Sequence, residues 1–165
     1  MSFHMHLRAT AANEVSEDFS SLHDFMWIAW EDHQQEYAAG IADSIEKDFG
    51  HVHELYTMGA DHGDATNAAS TLPVFGGRHI HSPTKDQPPF VLLNPAEVRG
   101  VAEFLRTVSF DERWQTAGTE PSQPYIGWED KNAAKNIFLG YHNDLRTFYE
   151  RAALSGRTVI KAFWY

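Results

Sequence analysis

Glu46 and His53 are the residues whose types and spacing best suit acid–base chemistry, a carboxylate and an imidazole on either side of Gly50. Histidine titrates near neutral pH and a neighbouring carboxylate is its usual working partner. On a helix, Glu46, Gly50, His53 and Thr57 share one stripe, and Glu46 and His53 stand two turns apart, roughly 10 Å at about 1.5 Å per residue. They would not touch, yet both could line one groove. A helical Gly costs about 1 kcal/mol relative to Ala, so Gly50 predicts close approach by another backbone or a ligand. The competing assignment makes Glu46 an N-terminal dipole partner and His53 a hydrogen-bonded residue at the core edge.

The chain has ten histidines, six of them in the His-x-His pairs His4/His6, His51/His53 and His79/His81. Residues two apart share a face on a strand and diverge on a helix, so only the first and third pairs could offer two imidazoles to one metal. Asp61, His62 or Asp64 would have to supply the remaining ligands. Solvated or cross-strand histidines produce the same spacing, and no metal site is assigned. Arg78 beside Gly76-Gly77 could meet an anionic ligand or simply be solvated. Tyr125, Trp128 and Phe163-Trp164-Tyr165 could line an apolar pocket, cover the core or form a dimer seam. Gly-x-Ser-x-Gly, Walker and Rossmann patterns are absent, there is no cysteine, and no cofactor is expected.

The elements that must position these residues follow from periodicity. Ser2 to Thr10 alternates, with Phe3, Met5, Leu7 and Ala9 on the buried face of a strand and His4, His6 and Arg8 on the other. Glu17 to Gln35 predicts a helix with Phe19, Leu22, Met26, Ala29 and His33 along one stripe. Phe25, Trp27, Ile28 and Trp30 widen that apolar surface, which means central burial or an oligomer contact. Asp43 and Glu46 form a capping-box pattern that starts a second helix near Ser44, carrying Ile45, Phe49, Val52 and Tyr56 toward the core up to Met58. Ala60 to Thr71 predicts a loop, and Leu72 to Ser82 allows a hairpin about Gly76-Gly77. Phe90 to Leu93 suits a buried strand. Asn94-Pro95 starts a helix with Val98, Val101, Ala102 and Leu105 inward, and Ser109 caps a short helix through Trp114. Gly118 to Gly127 predicts a loop. The last helix carries Ala134, Ile137, Tyr141, Leu145, Phe148 and Ala152 at steps of three and four, Gly156 terminates it, and Thr158 to Trp164 closes the chain as a strand.

These elements imply one α+β domain over residues 1–165, a small mixed or antiparallel sheet covered by helices. The aromatic content of 13% favours a well-packed core with an aromatic pocket or interface. A formal charge of −10 without clustered Lys or Arg argues against nucleic acid and anionic membrane surfaces. No apolar run approaches the roughly 20 residues of a membrane span, and a cytoplasmic location is expected.

Ile45-Glu46-Lys47-Asp48-Phe49 followed by Val52-His53-Glu54-Leu55 resembles the acidic-Lys-x-aromatic and Leu-His-x-Leu signature of the YfbM-like proteins, the DUF1877 family. Pro73-Val74-Phe75-Gly76-Gly77 resembles that family's central loop, and Phe148-Tyr149-Glu150-Arg151-Ala152-Ala153 its C-terminal Phe-Tyr-x-x-Ala-Ala element. Glu46 stands where Asp is more usual, and Phe49 where Trp is. The resemblance implies a small α+β domain and carries no activity or catalytic residue with it. The expected function is therefore a non-catalytic binding protein for a small molecule or a protein partner, a second copy included. The alternative is a small-molecule enzyme using Glu46 and His53, with or without a histidine-bound metal.

Overall fold

Strand β1 (His4–Thr10) is covered on both faces, and that decides the architecture of the computed structural model, which describes residues 3–58, 68–117 and 130–164. It pairs antiparallel with β2 (Ala42–Glu46) on one side and with β5 (Thr158–Trp164) on the other. Strand β4 (Phe90–Leu93) follows β5, and β3 (Arg78–Ile80) forms the far edge, so the sheet is open, fully antiparallel and ordered β2-β1-β5-β4-β3. Among the described residues six α-helices pack around it, the α+β arrangement expected from the sequence.

Met5, Leu7 and Ala9 face the larger core together with Val159, Leu93 and Ile45. Against them pack α3 (Phe49–Thr57), α4 (Pro95–Thr107), α5 (Phe110–Ala117) and α6 (Lys131–Leu154). The opposite face meets α1 (Phe19–Glu31), whose Leu22 and Met26 pack on Phe90, Leu92, Ile160 and Ala162. The expected single helix from Glu17 breaks at Asp32, and α2 (His33–Ala39) ends at a left-handed Gly40.

The polar side of β1 is not solvated, contrary to the simplest reading of its alternation. His6 is 0% exposed and Arg8 is half-buried, because α1 and α2 roof this face. His4 stacks on Trp30 at 4.2 Å, and the Tyr37 hydroxyl lies 3.4 Å from His6 Nδ1. Arg8 bonds Glu36 Oε1 at 2.6 Å and the Phe25 carbonyl at 3.0 Å, with its guanidinium 3.9 Å over the Phe25 ring. Polar residues reach the interior here because each finds a ring or a charge partner.

The helix expected from Ser44 is instead β2 followed by α3. Pairing with β1 in the register His4↔Glu46 and Met5↔Ile45 overrides the capping-box pattern. Asp43 Oδ1 accepts from the adjacent Ser44 N–H, a local bond that needs no helix. The stripe that placed Glu46 and His53 two turns apart therefore does not exist. Gly50 sits in the first turn of α3, where an added Cβ would meet nothing within 4 Å, so no close approach explains it. The buried stripe of α6 includes Ala134, Leu145, Phe148 and Ala152 as expected, but departs by one residue in the middle of the helix, where Phe138 and His142 are buried while Ile137 is exposed and Tyr141 half-buried. His142 is accommodated by the Tyr56 hydroxyl at 3.0 Å.

Close approach occurs at Gly76 and Gly77. The hairpin allowed there is replaced by turns through residues 69–75 that are pulled onto the sheet, after which β3 pairs with β4. Lys161 Nζ, fully buried, donates to the carbonyls of Leu72 at 2.6 Å and Gly76 at 2.7 Å, and the Tyr149 hydroxyl donates to that of Pro73 at 3.1 Å. A Cβ at Gly77, whose φ is +123°, would lie 2.8 Å from the Leu92 carbonyl oxygen. Strain and a backbone clash coincide, so Gly77→Ala is expected to cost roughly 2 kcal/mol or more in urea unfolding. A loss within about 0.5 kcal/mol, the usual range for an unconstrained surface position, would show that the turn can move away.

Candidate functional site

The end of β5 gathers aromatic side chains from both layers. On the larger-core face Phe163 lies 5.5 Å from both Phe49 and Phe75, and Phe75 meets His53 edge-on at 4.8 Å. On the opposite face Trp164 makes edge contacts with Trp27 at 5.9 Å, His23 at 6.0 Å and Phe90 at 6.1 Å. Phe163 and Trp164 fall on different faces because neighbouring strand residues alternate, which places the two clusters back to back. Beside Trp164 opens a cleft of about 270 Å³ lined by His23, Asp86, Gln87, Pro88, Phe90, Phe163 and Trp164. Trp27 is 48% exposed and Ile28 54%, so α1 turns large apolar side chains to solvent.

The polar groups of this cleft are few and held by neighbours. Asp86 Oδ1 accepts from the hydroxyls of Thr84 and Ser82, the second at 3.2 Å, and the Thr84 bond is the main reason its carboxyl titrates below the usual range. His23 stacks on Trp27. The indole Nε1 of Trp164 is buried and has no hydrogen-bond partner among the described residues.

The expected acid–base pair is distributed differently. Glu46 is exposed at the end of β2, opposite His4, and its charge acts on Tyr141. His53 is half-buried on α3, and burial followed by the nearby Lys161 lowers its pKa. Its ring packs edge-on against Phe75. A more perturbed carboxyl escaped the sequence reading: Asp43, pushed up to about 7 mainly by burial, with Asp144 adding. It lines an open cleft of about 260 Å³ with Tyr37, Asp144, Thr147 and Arg151. Its one local sequence signal is the capping-box spacing to Glu46.

Arg78 sits exposed on β3 and bonds Glu17 at 2.7 Å, at a third cleft lined by Leu92, Asn94 and Glu97. Its solvated partner is a carboxylate of the chain. His4 and His6 share a face as expected, while His79 and His81 are exposed with rings 6.1 Å apart. Among the described residues no group of three or more His, Asp or Glu is placed to hold a metal ion. Tyr125, Trp128 and Tyr165, like Asp61, His62 and Asp64, lie outside the described residues.

Comparison with known proteins agrees with this fold. The sequence model described as Domain of unknown function (DUF1877) matches residues 1–162. The chain belongs to the DUF1877 family. Among solved structures, that of YfbM from Escherichia coli, titled a protein of unknown function, superimposes with a TM-score of 0.58 over 98% of this chain and 99% of that one. Sequence identity is 13%, so the DUF1877 likeness to YfbM shows a shared fold. No curated protein matches the sequence. Among the described residues no helix is long and apolar enough to cross a membrane.

Proposed function

We propose that this DUF1877 protein is a non-catalytic binding protein whose ligand sits in the aromatic cleft at the end of β5. One observation carries the reading: Phe90, Phe163 and Trp164 wall an open cleft beside the solvent-facing Trp27 and Ile28. Exposed rings around a concavity with few polar groups are how small-molecule sites and partner anchors are built. A small molecule fills the cleft itself, and the α1 surface next to it supplies area for a protein partner or a second copy. The acidic chain and its lack of a basic patch support a role apart from nucleic acid and anionic membranes, in the cytoplasm.

The rival reading, an enzyme with Glu46 and His53 as its acid and base, has less support. Glu46 is solvated and His53 packs on Phe75, with no contact between the two on which proton transfer could run. A fragment screen read by the indole resonances of Trp27 and Trp164 tests the binding proposal. Hits that shift both indoles, and that Phe90→Ala weakens about tenfold, are the expected outcome. If no fragment moves either indole, or if hits map to the Asp43 cleft, the reading is wrong.

A further inference from the structure

Resting on the reading of the β5 cleft as a ligand site, we infer that its ligand is a small organic ammonium ion. Phe90 and Trp164, on the α1 face of the sheet, are among the residues that line the cleft, and aromatic rings attract cations through their quadrupoles. The charged group at its wall is a carboxylate, Asp86, and neither Lys nor Arg belongs to the lining. Thr84 and Ser82 both donate to the same Asp86 oxygen, which fixes the carboxylate in place before any ligand arrives.

Two further facts narrow the chemistry. The chain carries a formal charge of −10, so its field concentrates cations and repels anions around every exposed cleft. A volume of about 270 Å³ fits a small amine rather than a drug-sized molecule.

Choline and its neutral isostere 3,3-dimethyl-1-butanol separate the charge from the shape. Each is titrated into wild type and into Asp86→Asn while the Trp164 indole resonance is followed. Choline is expected to shift that resonance with millimolar affinity, about fivefold or more tighter than the isostere. In Asp86→Asn, a change at an exposed position, the two are expected to bind alike. Equal binding of both compounds to wild type, unaffected by the substitution, overturns the ammonium inference and leaves the cleft as a neutral apolar site. If Trp164 responds to the fragment set but to neither probe, the ammonium inference alone falls. If it responds to nothing, the cleft reading falls with it.

Discussion

Lys161→Ala is expected to remove about 3–5 kcal/mol of unfolding free energy, the largest effect of any single substitution considered. The side chain is fully buried on β5 between Leu7 and Val91, and its amine is bonded to two carbonyls of the segment that crosses the sheet. Truncation leaves a cavity and strips both carbonyls of their donor, at about 1–3 kcal/mol for each unsatisfied group. Lys161→Met restores most of the volume but neither bond, so it should recover only part of the loss. Exchange of the Gly76 amide, which bonds the Thr71 carbonyl at 2.8 Å, should rise well above that of α6 in both variants. A loss below 1 kcal/mol in the Ala variant would mean that other contacts hold residues 71–76.

The same amine gives the protein an alkaline signature. Burial holds its folded pKa well below that of an ordinary lysine. Between that lowered value and about 10.4 the unfolded chain binds a proton that the folded chain does not. Stability from this group therefore rises with pH through the window and levels off above it. Lys161→Met should flatten that part of the profile.

The second large effect lies in acid, where two groups work against each other. His6 is lowered to about 4, chiefly by burial and then by the charges of His4, His33 and Arg8. From pH 4 to 6.5 the unfolded state binds the extra proton, so His6 makes stability rise with pH by roughly 3 kcal/mol. Asp43 is raised to about 7, so from its ordinary value of 3.8 up to 7 the folded state binds the extra proton and stability falls as pH rises. His53 and His142, also lowered by burial, add to the His6 direction. Asp43→Asn should leave a profile that climbs steeply from pH 4 to 6.5. His6→Asn should flatten or reverse the climb. Urea midpoints of the two variants across pH 4–7 give the comparison, and parallel profiles would refute the assignment of either group.

The two histidines of β1 also show where sequence reading stops. Alternation identified the strand and its apolar face, but a polar opposite face is ordinarily solvated, and only α1 and α2 folding back make it interior. Strands β4 and β5 and helices α4 and α6 were legible because apolar periodicity, Asn94-Pro95 and Gly156 act locally. Asn94 indeed forms a full capping box with Glu97. Asp43 and Glu46 carried an equally good local signal that pairing with β1 overrode. Phe163 and Trp164 could be marked as pocket residues from their type alone. His23, Asp86 and Pro88 could not, since chain folding brings them to that cleft from separate segments.

Strand β5, finally, has a kinetic meaning. It lies between β1 and β4, with His4 opposite Trp164, so the middle of the sheet joins the two ends of the described chain. Contacts of such sequence separation slow folding, because a long loop must close before they form. On the ribosome β1 emerges long before β5 and stays without that neighbour until β5 follows. For that interval an apolar strand face and an open backbone edge are exposed to other chains, the condition under which nascent proteins aggregate or engage chaperones.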